Sequence, residues 1–175
     1  MISPWNYPFQ LALTPLVGAV AAGNTVVLKP SESAPKTGAI VAQIIEEAFP
    51  KEWVTVVEGG PAVAQELLEF SWDYIFYTGS TTVGKLIAQA AAKNLTPTTL
   101  ELGGKSPCIV EDSAPLKSTA KRIVWGKFLN CGQTCIAPDY VLVSPHKKEA
   151  LMTALKKEII HAFGENPAKS NLFLE

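Results

Sequence analysis

Three residues have the types and settings for carbonyl or acid–base chemistry. Cys135 lies in Asn130-Cys131-Gly132-Gln133-Thr134-Cys135-Ile136-Ala137-Pro138. A thiol in such a glycine-containing loop is accessible to ionisation, and the thiolate is the attacking species. The commoner use of a lone cysteine is as a small buried hydrophobe. Glu101, in Leu100-Glu101-Leu102-Gly103-Gly104-Lys105, closes an apolar run. Set between two leucines, it is either a paired structural charge or a carboxyl whose pKa is raised toward general-base duty. Asn6, in Pro4-Trp5-Asn6-Tyr7-Pro8, presents an amide fixed between two prolines. Such a group suits an oxyanion donor, although a turn-stabilising Asn is the usual role.

Two further segments suit a nucleotide. Thr78-Gly79-Ser80-Thr81-Thr82-Val83-Gly84 joins an apolar strand to a helical period. A glycine turn feeding a helix N-terminus offers N–H groups and a positive dipole end to a phosphate. The spacing is not G-x-G-x-x-G, and the ordinary alternative is a strand-to-helix turn capped by Ser80 or Thr81. Lys29-Pro30-Ser31-Glu32 follows another strand run, where a carboxylate past the strand end accepts hydrogen bonds from a ribose diol. Its ordinary alternative is a solvated turn. Cys131 and Cys135 are four apart, but His146 and His161 both lie beyond the loop, so a zinc set is poorly supported and no metal is expected. Cys108, inside an apolar run, is expected in the core.

These residues need a scaffold. Thr25 to Leu28, Val54 to Val57, Tyr74 to Tyr77, Thr98 to Leu102, Cys108 to Val110 and Tyr140 to Val143 are short apolar runs that predict buried strands. Between them Ile40, Val41, Ile44, Ile45 and Ala48 share one helical face. So do Val83, Leu86, Ile87, Ala90 and Ala91, and later Leu151, Ala154, Leu155 and Ile159. Strand and helix in alternation predict an α/β fold, a mostly parallel sheet with helices on both faces. The Gly103-Gly104 pair is a plausible hinge, dividing a domain over 1–102 from the beginning of a second over 103–175.

The 175 residues are 47% apolar and 18% charged, which excludes a disordered chain. A formal net charge of -1 leaves no footprint for nucleic acid. Three cysteines, an odd count, point to a reducing compartment, hence a cytoplasmic setting. Residues 1–28 carry no Asp, Glu, Lys or Arg, yet Pro4, Pro8, Pro15, Gly18 and Gly23 interrupt them, so they are expected as a core segment rather than a membrane span. Both ends look cut: nothing leads into Met1, and the chain stops within the apolar run Asn171 to Glu175.

The order of the motifs is more specific than any of them singly. PWNYP, VLKPSE, YTGSTTVG, LELGGKSP and GQTC followed by APDY resemble, in series, the aldehyde dehydrogenase superfamily, and in detail its class 3 branch of fatty and aromatic aldehyde dehydrogenases. The resemblance runs through essentially the whole chain. It implies a Rossmann-like dinucleotide-binding domain, truncated at its N-terminus, followed by the first part of the catalytic domain. It implies that Cys135 is the nucleophile, that Asn6 and the Cys135 backbone N–H form the oxyanion hole, and that Glu101 activates the deacylating water. Lys29, Ser31 and Glu32 would hold the adenosine ribose, with Trp5, Gly79, Ser80, Thr81, Thr82, Val83 and Gly84 along the rest of the dinucleotide. The implied cofactor is NAD, with NADP tolerated, since Glu32 repels a 2′-phosphate that Lys29 partly offsets. The substrate would be a small-molecule aldehyde, and the complete enzyme a homodimer whose membrane association is open. The family's N-terminal segment, later nicotinamide-ribose carboxylate and oligomerisation segment have no counterpart here. The chain alone is therefore expected to be nearly inactive and to expose apolar surface. Two alternatives are a CoA-acylating relative, disfavoured by Glu101, and a non-catalytic nucleotide-binding or interaction fragment.

Overall fold

β-Branched residues crowd the helical turn but fit a pleated strand, and the two such runs that follow the first helix become β1 (Val26–Leu28) and β2 (Val54–Val56). They pair in parallel, Val26 opposite Val54. A second parallel pair joins β3 (Ile75–Thr78) to β4 (Thr98–Glu101), Thr78 opposite Glu101. The computed structural model describes residues 1–170, and the terminal run Asn171 to Glu175 lies outside them. The chain divides into two compact units, Met1–Leu102 and one beginning at Gly103.

Ile2 unites the two strand pairs of the first unit, bridging Lys29 on one side and Tyr77 on the other. Its N–H donates to the Phe76 carbonyl at 2.9 Å, and Thr78 N–H donates back to Ile2 at 3.1 Å. On the other side Lys29 N–H donates to the Met1 carbonyl (2.9 Å) and Ser3 N–H to the Lys29 carbonyl (3.0 Å). The order β2, β1, Ile2, β3, β4 is that of a Rossmann-like doubly wound sheet. Ile2 takes its place there through isolated bridges, without a strand of its own. The Met1 amine donates to the Val27 carbonyl at 2.7 Å, and burial lowers its pKa to about 6.

Both faces are covered. Adjacent strand residues point to opposite sides, and Met1 and Ile2 join different cores. Met1 packs with α1 (Gln10–Ala21) and α2 (Pro35–Ala48), through Ala12, Leu16, Val41 and Ile45, over Val26, Leu28 and Val54. Ile2 packs with α4 (Thr81–Lys93), through Ile87 and Ala91, over Ile75 and Tyr77, together with Leu68 at the end of α3 (Pro61–Leu68). Truncating a side chain as fully buried as Leu28 to Ala typically costs about 2–5 kcal/mol.

The charge-free start contains helix α1, which accommodates Pro15 at the loss of the one N–H that would have reached Leu11. The predicted stripes are wider than the core. Val41 and Ile45 are buried while Ile40 and Ile44 are exposed, and Ile87 is buried while Val83 and Leu86 are exposed.

The second unit repeats the alternation. β5 (Ser106–Val110) pairs in parallel with β6 (Pro138–Val143). Between them run α5 (Leu116–Phe128) and a 3₁₀ turn (Leu129–Gly132), and α6 (Pro145–Phe163) follows. Ile109 is 75% and Trp125 68% exposed, so apolar surface is open on both a strand and a helix of this unit. No helix among the described residues is long and apolar enough to cross a membrane.

Candidate active site

Parallel strands send their carboxyl ends to one edge of the sheet, and the winding direction reverses where β3 joins on the far side of Ile2. Nearly every residue singled out in the first unit follows a carboxyl end. Trp5 and Asn6 follow the Ile2 segment, Lys29 to Glu32 follow β1, Gly79 to Gly84 follow β3, and Glu101 closes β4. Trp5 is exposed and Asn6 half-buried. Ser3, at the end of the Ile2 segment, is buried, and its Oγ has no hydrogen-bond partner among the described residues.

Lys29 is not in a solvated turn. Its side chain is 2% exposed, and its Nζ donates to the Pro30 carbonyl at 3.1 Å and to Glu32 Oε2 at 3.0 Å. The Glu32 carboxyl is held below the usual carboxylate range, first by its own backbone N–H and then by Lys29. Ser31 Oγ accepts from Ser33 N–H at 3.3 Å. Beside this pair lies an open cleft of about 220 Å³ lined by Pro30, Ser31, Glu32, Pro35, Gly38, Glu58, Gly59 and Gly60. Sequence reasoning did not single out Glu58, Gly59 or Gly60 as site residues. The same strand-end rule finds them, because they follow β2, the neighbour of β1.

The turn after β3 is tied to β4 by Gly79 N–H donating to the Glu101 carbonyl at 2.9 Å. Ser80 caps α4, accepting from Val83 N–H at 3.2 Å, so its hydroxyl acts as the ordinary alternative anticipated. The two glycines permit close packing. A Cβ on Gly79 would lie 2.2 Å from Tyr77 Oη, and one on Gly84 2.7 Å from Leu102 Cδ2. Thr81, Thr82 and Val83 are exposed on the first turn of α4.

Glu101 corrects an expectation. Its flanking leucines were taken to desolvate it, yet its side chain is exposed. The pleat explains this: Leu100 and Leu102 turn to the buried cluster, so the residue between them faces the other way.

In the second unit, Cys135 is exposed and Cys131 half-buried, and neither is in a disulfide. Cys108 is also only half-buried rather than core, because the two-stranded sheet leaves much of β5 open. The Cys135 loop is conformationally costly. Asn130 (φ 52°), Cys131 (φ 55°) and Gly132 (φ 76°) are three successive left-handed residues, two of them with side chains. Gln133 N–H donates to the Asn130 carbonyl and Ala137 N–H to the Thr134 carbonyl. A Cβ on Gly104 would meet the Cys135 carbonyl at 2.7 Å, so that glycine lets the loop settle against it. Asp139 pairs with Lys105 (3.3 Å) and Lys127 (3.6 Å), fixing the strand that leaves the loop. Asn6 and Glu101 belong to the first unit, Cys135 to the second. Among the described residues no three His, Cys, Asp or Glu side chains gather as a metal site would require.

The aldehyde dehydrogenase family pattern matches residues 1–172. The chain belongs to the aldehyde dehydrogenase family. It is 49% identical over 170 residues to 4,4′-diaponeurosporen-aldehyde dehydrogenase of Staphylococcus aureus, covering 97% of this chain and 37% of that protein. It is 51% identical to human aldehyde dehydrogenase family 3 member B1, covering 97% of this chain and 36% of that protein, which agrees with the class 3 resemblance. The solved substrate-bound S. aureus AldH superposes with a TM-score of 0.90 at 48% identity, over 97% of this chain and 37% of that one. A Mycobacterium tuberculosis aldehyde dehydrogenase complexed with NAD+ superposes with a TM-score of 0.85 at 32% identity, over 90% of this chain and 33% of that one. The chain thus spans little more than a third of the curated relatives' length.

Proposed function

We propose that this chain is the cofactor-binding domain and the first part of the catalytic domain of an NAD-dependent enzyme that oxidises an aldehyde to a carboxylic acid. The observation that carries this reading is that Asn6, the Lys29–Glu32 pair, the Gly79–Ser80 turn and Glu101 all follow the carboxyl ends of strands in one doubly wound sheet of a family member. NAD+ in a structural neighbour supports the cofactor. The residues present fit its ribose end: a carboxylate oriented by a buried ammonium lines a cleft.

In this reading Glu32, aimed by Lys29, accepts the ribose hydroxyls, and Ser31 borders them. Trp5, Gly79, Ser80, Thr81, Thr82, Val83 and Gly84 line the path of the remaining dinucleotide. The Cys135 thiolate adds to the aldehyde carbon, and Asn6 with the Cys135 N–H stabilises the oxyanion, each such donor being worth about 10²- to 10³-fold. Bound dinucleotide supplies the acceptor for the substrate's hydride. Glu101 then takes a proton from the water that hydrolyses the acyl thioester. NAD is preferred with NADP tolerated, the complete enzyme is a homodimer, and a reducing, cytoplasmic setting keeps the three free cysteines as thiols.

The test is made on the longest polypeptide in which this chain occurs. Aldehyde-dependent NADH formation is expected and should vanish in Cys135→Ser, and an aldehyde-mimicking electrophile should label Cys135. Label on Cys131 alone, or activity that survives the substitution, overturns the mechanism.

A further inference from the structure

We propose that Glu58 is the residue that makes the ribose cleft select against a 2′-phosphate, a role that Glu32 alone does not fill. This rests on reading the cleft beside Lys29 and Glu32 as the ribose site. Three observations lead to it.

The cleft is built to attract anions. Pro35 opens α2 and Gly60 precedes Pro61 of α3, so two helices begin at its wall, each presenting the positive end of its dipole. Glu32 does little against that pull, because the buried Lys29 ammonium at 3.0 Å compensates its charge. The pair contributes direction for hydrogen bonds and almost no net field.

Glu58 is the remaining charge on the wall. The other lining residues, Pro30, Ser31, Pro35, Gly38, Gly59 and Gly60, carry none. Its Oε1 stands over Gly38, 3.2 Å from where a Cβ would be, with Pro30 Cβ 3.5 Å from the same point. Glu58 has no ion-pair or hydrogen-bond partner among the described residues. An uncompensated carboxylate there offsets the helix ends, accepts hydrogen bonds from a diol and repels a phosphate of charge about −1.5 to −2.

The experiment titrates the 175-residue chain with adenosine 5′-monophosphate and adenosine 2′,5′-bisphosphate by calorimetry, for the unaltered chain, Glu58→Gln and Glu58→Lys, with circular dichroism on each to establish folding. The unaltered chain is expected to prefer the monophosphate. Glu58→Gln should move the affinity ratio about tenfold toward the bisphosphate, and Glu58→Lys further, with the shift shrinking in high salt. A ratio unmoved in both folded variants overturns the proposal and leaves the ribose site standing, since Glu58 would then serve only the helix ends. Failure of the unaltered chain to bind either nucleotide overturns the ribose reading and the proposal with it.

Discussion

Lys29 and Glu32 form an ion pair whose two ends occupy different media: the ammonium is 2% exposed and the carboxylate 44%. The cation is fixed by the Pro30 carbonyl as well as by Glu32, so it acts as an anchor. The carboxylate is the end of the pair that reaches the surface.

That arrangement sets a pH dependence. Glu32 has its pKa lowered from 4.5 on folding, so the unfolded chain binds its proton first as pH falls. The stabilisation is complete above the unfolded value and is lost as pH drops through the folded one. Urea unfolding at about pH 5.5 and about pH 3.5 should show a smaller loss of stability in Glu32→Gln than in the unaltered chain. Equal losses would mean that the carboxylate gains nothing from its partners.

Two glycines should respond differently to a methyl group. Gly84→Ala brings a Cβ to 2.7 Å from Leu102 Cδ2, inside a packed cluster, and should cost about 1–3 kcal/mol by chemical denaturation. Gly104→Ala meets backbone, the Cys135 carbonyl at 2.7 Å, and the loop must shift. Its expected signature is a change in the alkylation rate of Cys135, read by mass spectrometry, larger than any change at Cys108. Unchanged labelling would show that Gly104 does not hold the loop.

Ile2→Pro tests the junction of the sheet. The substitution deletes the N–H that reaches Phe76 at 2.9 Å in the middle of a parallel sheet, where proline is poorly tolerated. A loss of about 3 kcal/mol or more is expected in urea unfolding. A loss below about 1 kcal/mol would mean that β1–β2 and β3–β4 hold together without that bond.

The residues that revealed the fold in sequence are those whose chemistry is local. Val54 to Val57 and Tyr74 to Tyr77 are β-branched and aromatic runs, and strands formed there within a residue. Met1 to Ser3 carries no such run, and it pairs only because neighbours on both sides complete its bonds. Helix α5 escaped notice because Ala120 and Val124, its buried pair, sit among Lys117, Lys121, Arg122 and Lys127. In the site, the partnership of Lys29 with Glu32 was legible as spacing, while the burial of Lys29 was not, because it arises from the Ile2 segment packing beside it. Glu101 misled because hydrophobic neighbours in sequence imply burial in a helix and opposite faces in a strand.

The Ile2 bridge has a consequence for how the nucleotide edge comes into being. Its partners, Lys29 and Tyr77, are distant in sequence, so closing those loops is entropically slow compared with forming either flanking strand pair. Each pair and its helices can associate beforehand as half a sheet, and the ledge that offers Asn6, Lys29 and Gly79 side by side exists only after the last seam is zipped. On the proposed nucleotide reading, ligand affinity and completion of folding are thermodynamically linked in this unit, so that nucleotide in solution would pull the half-assembled chain toward its finished form.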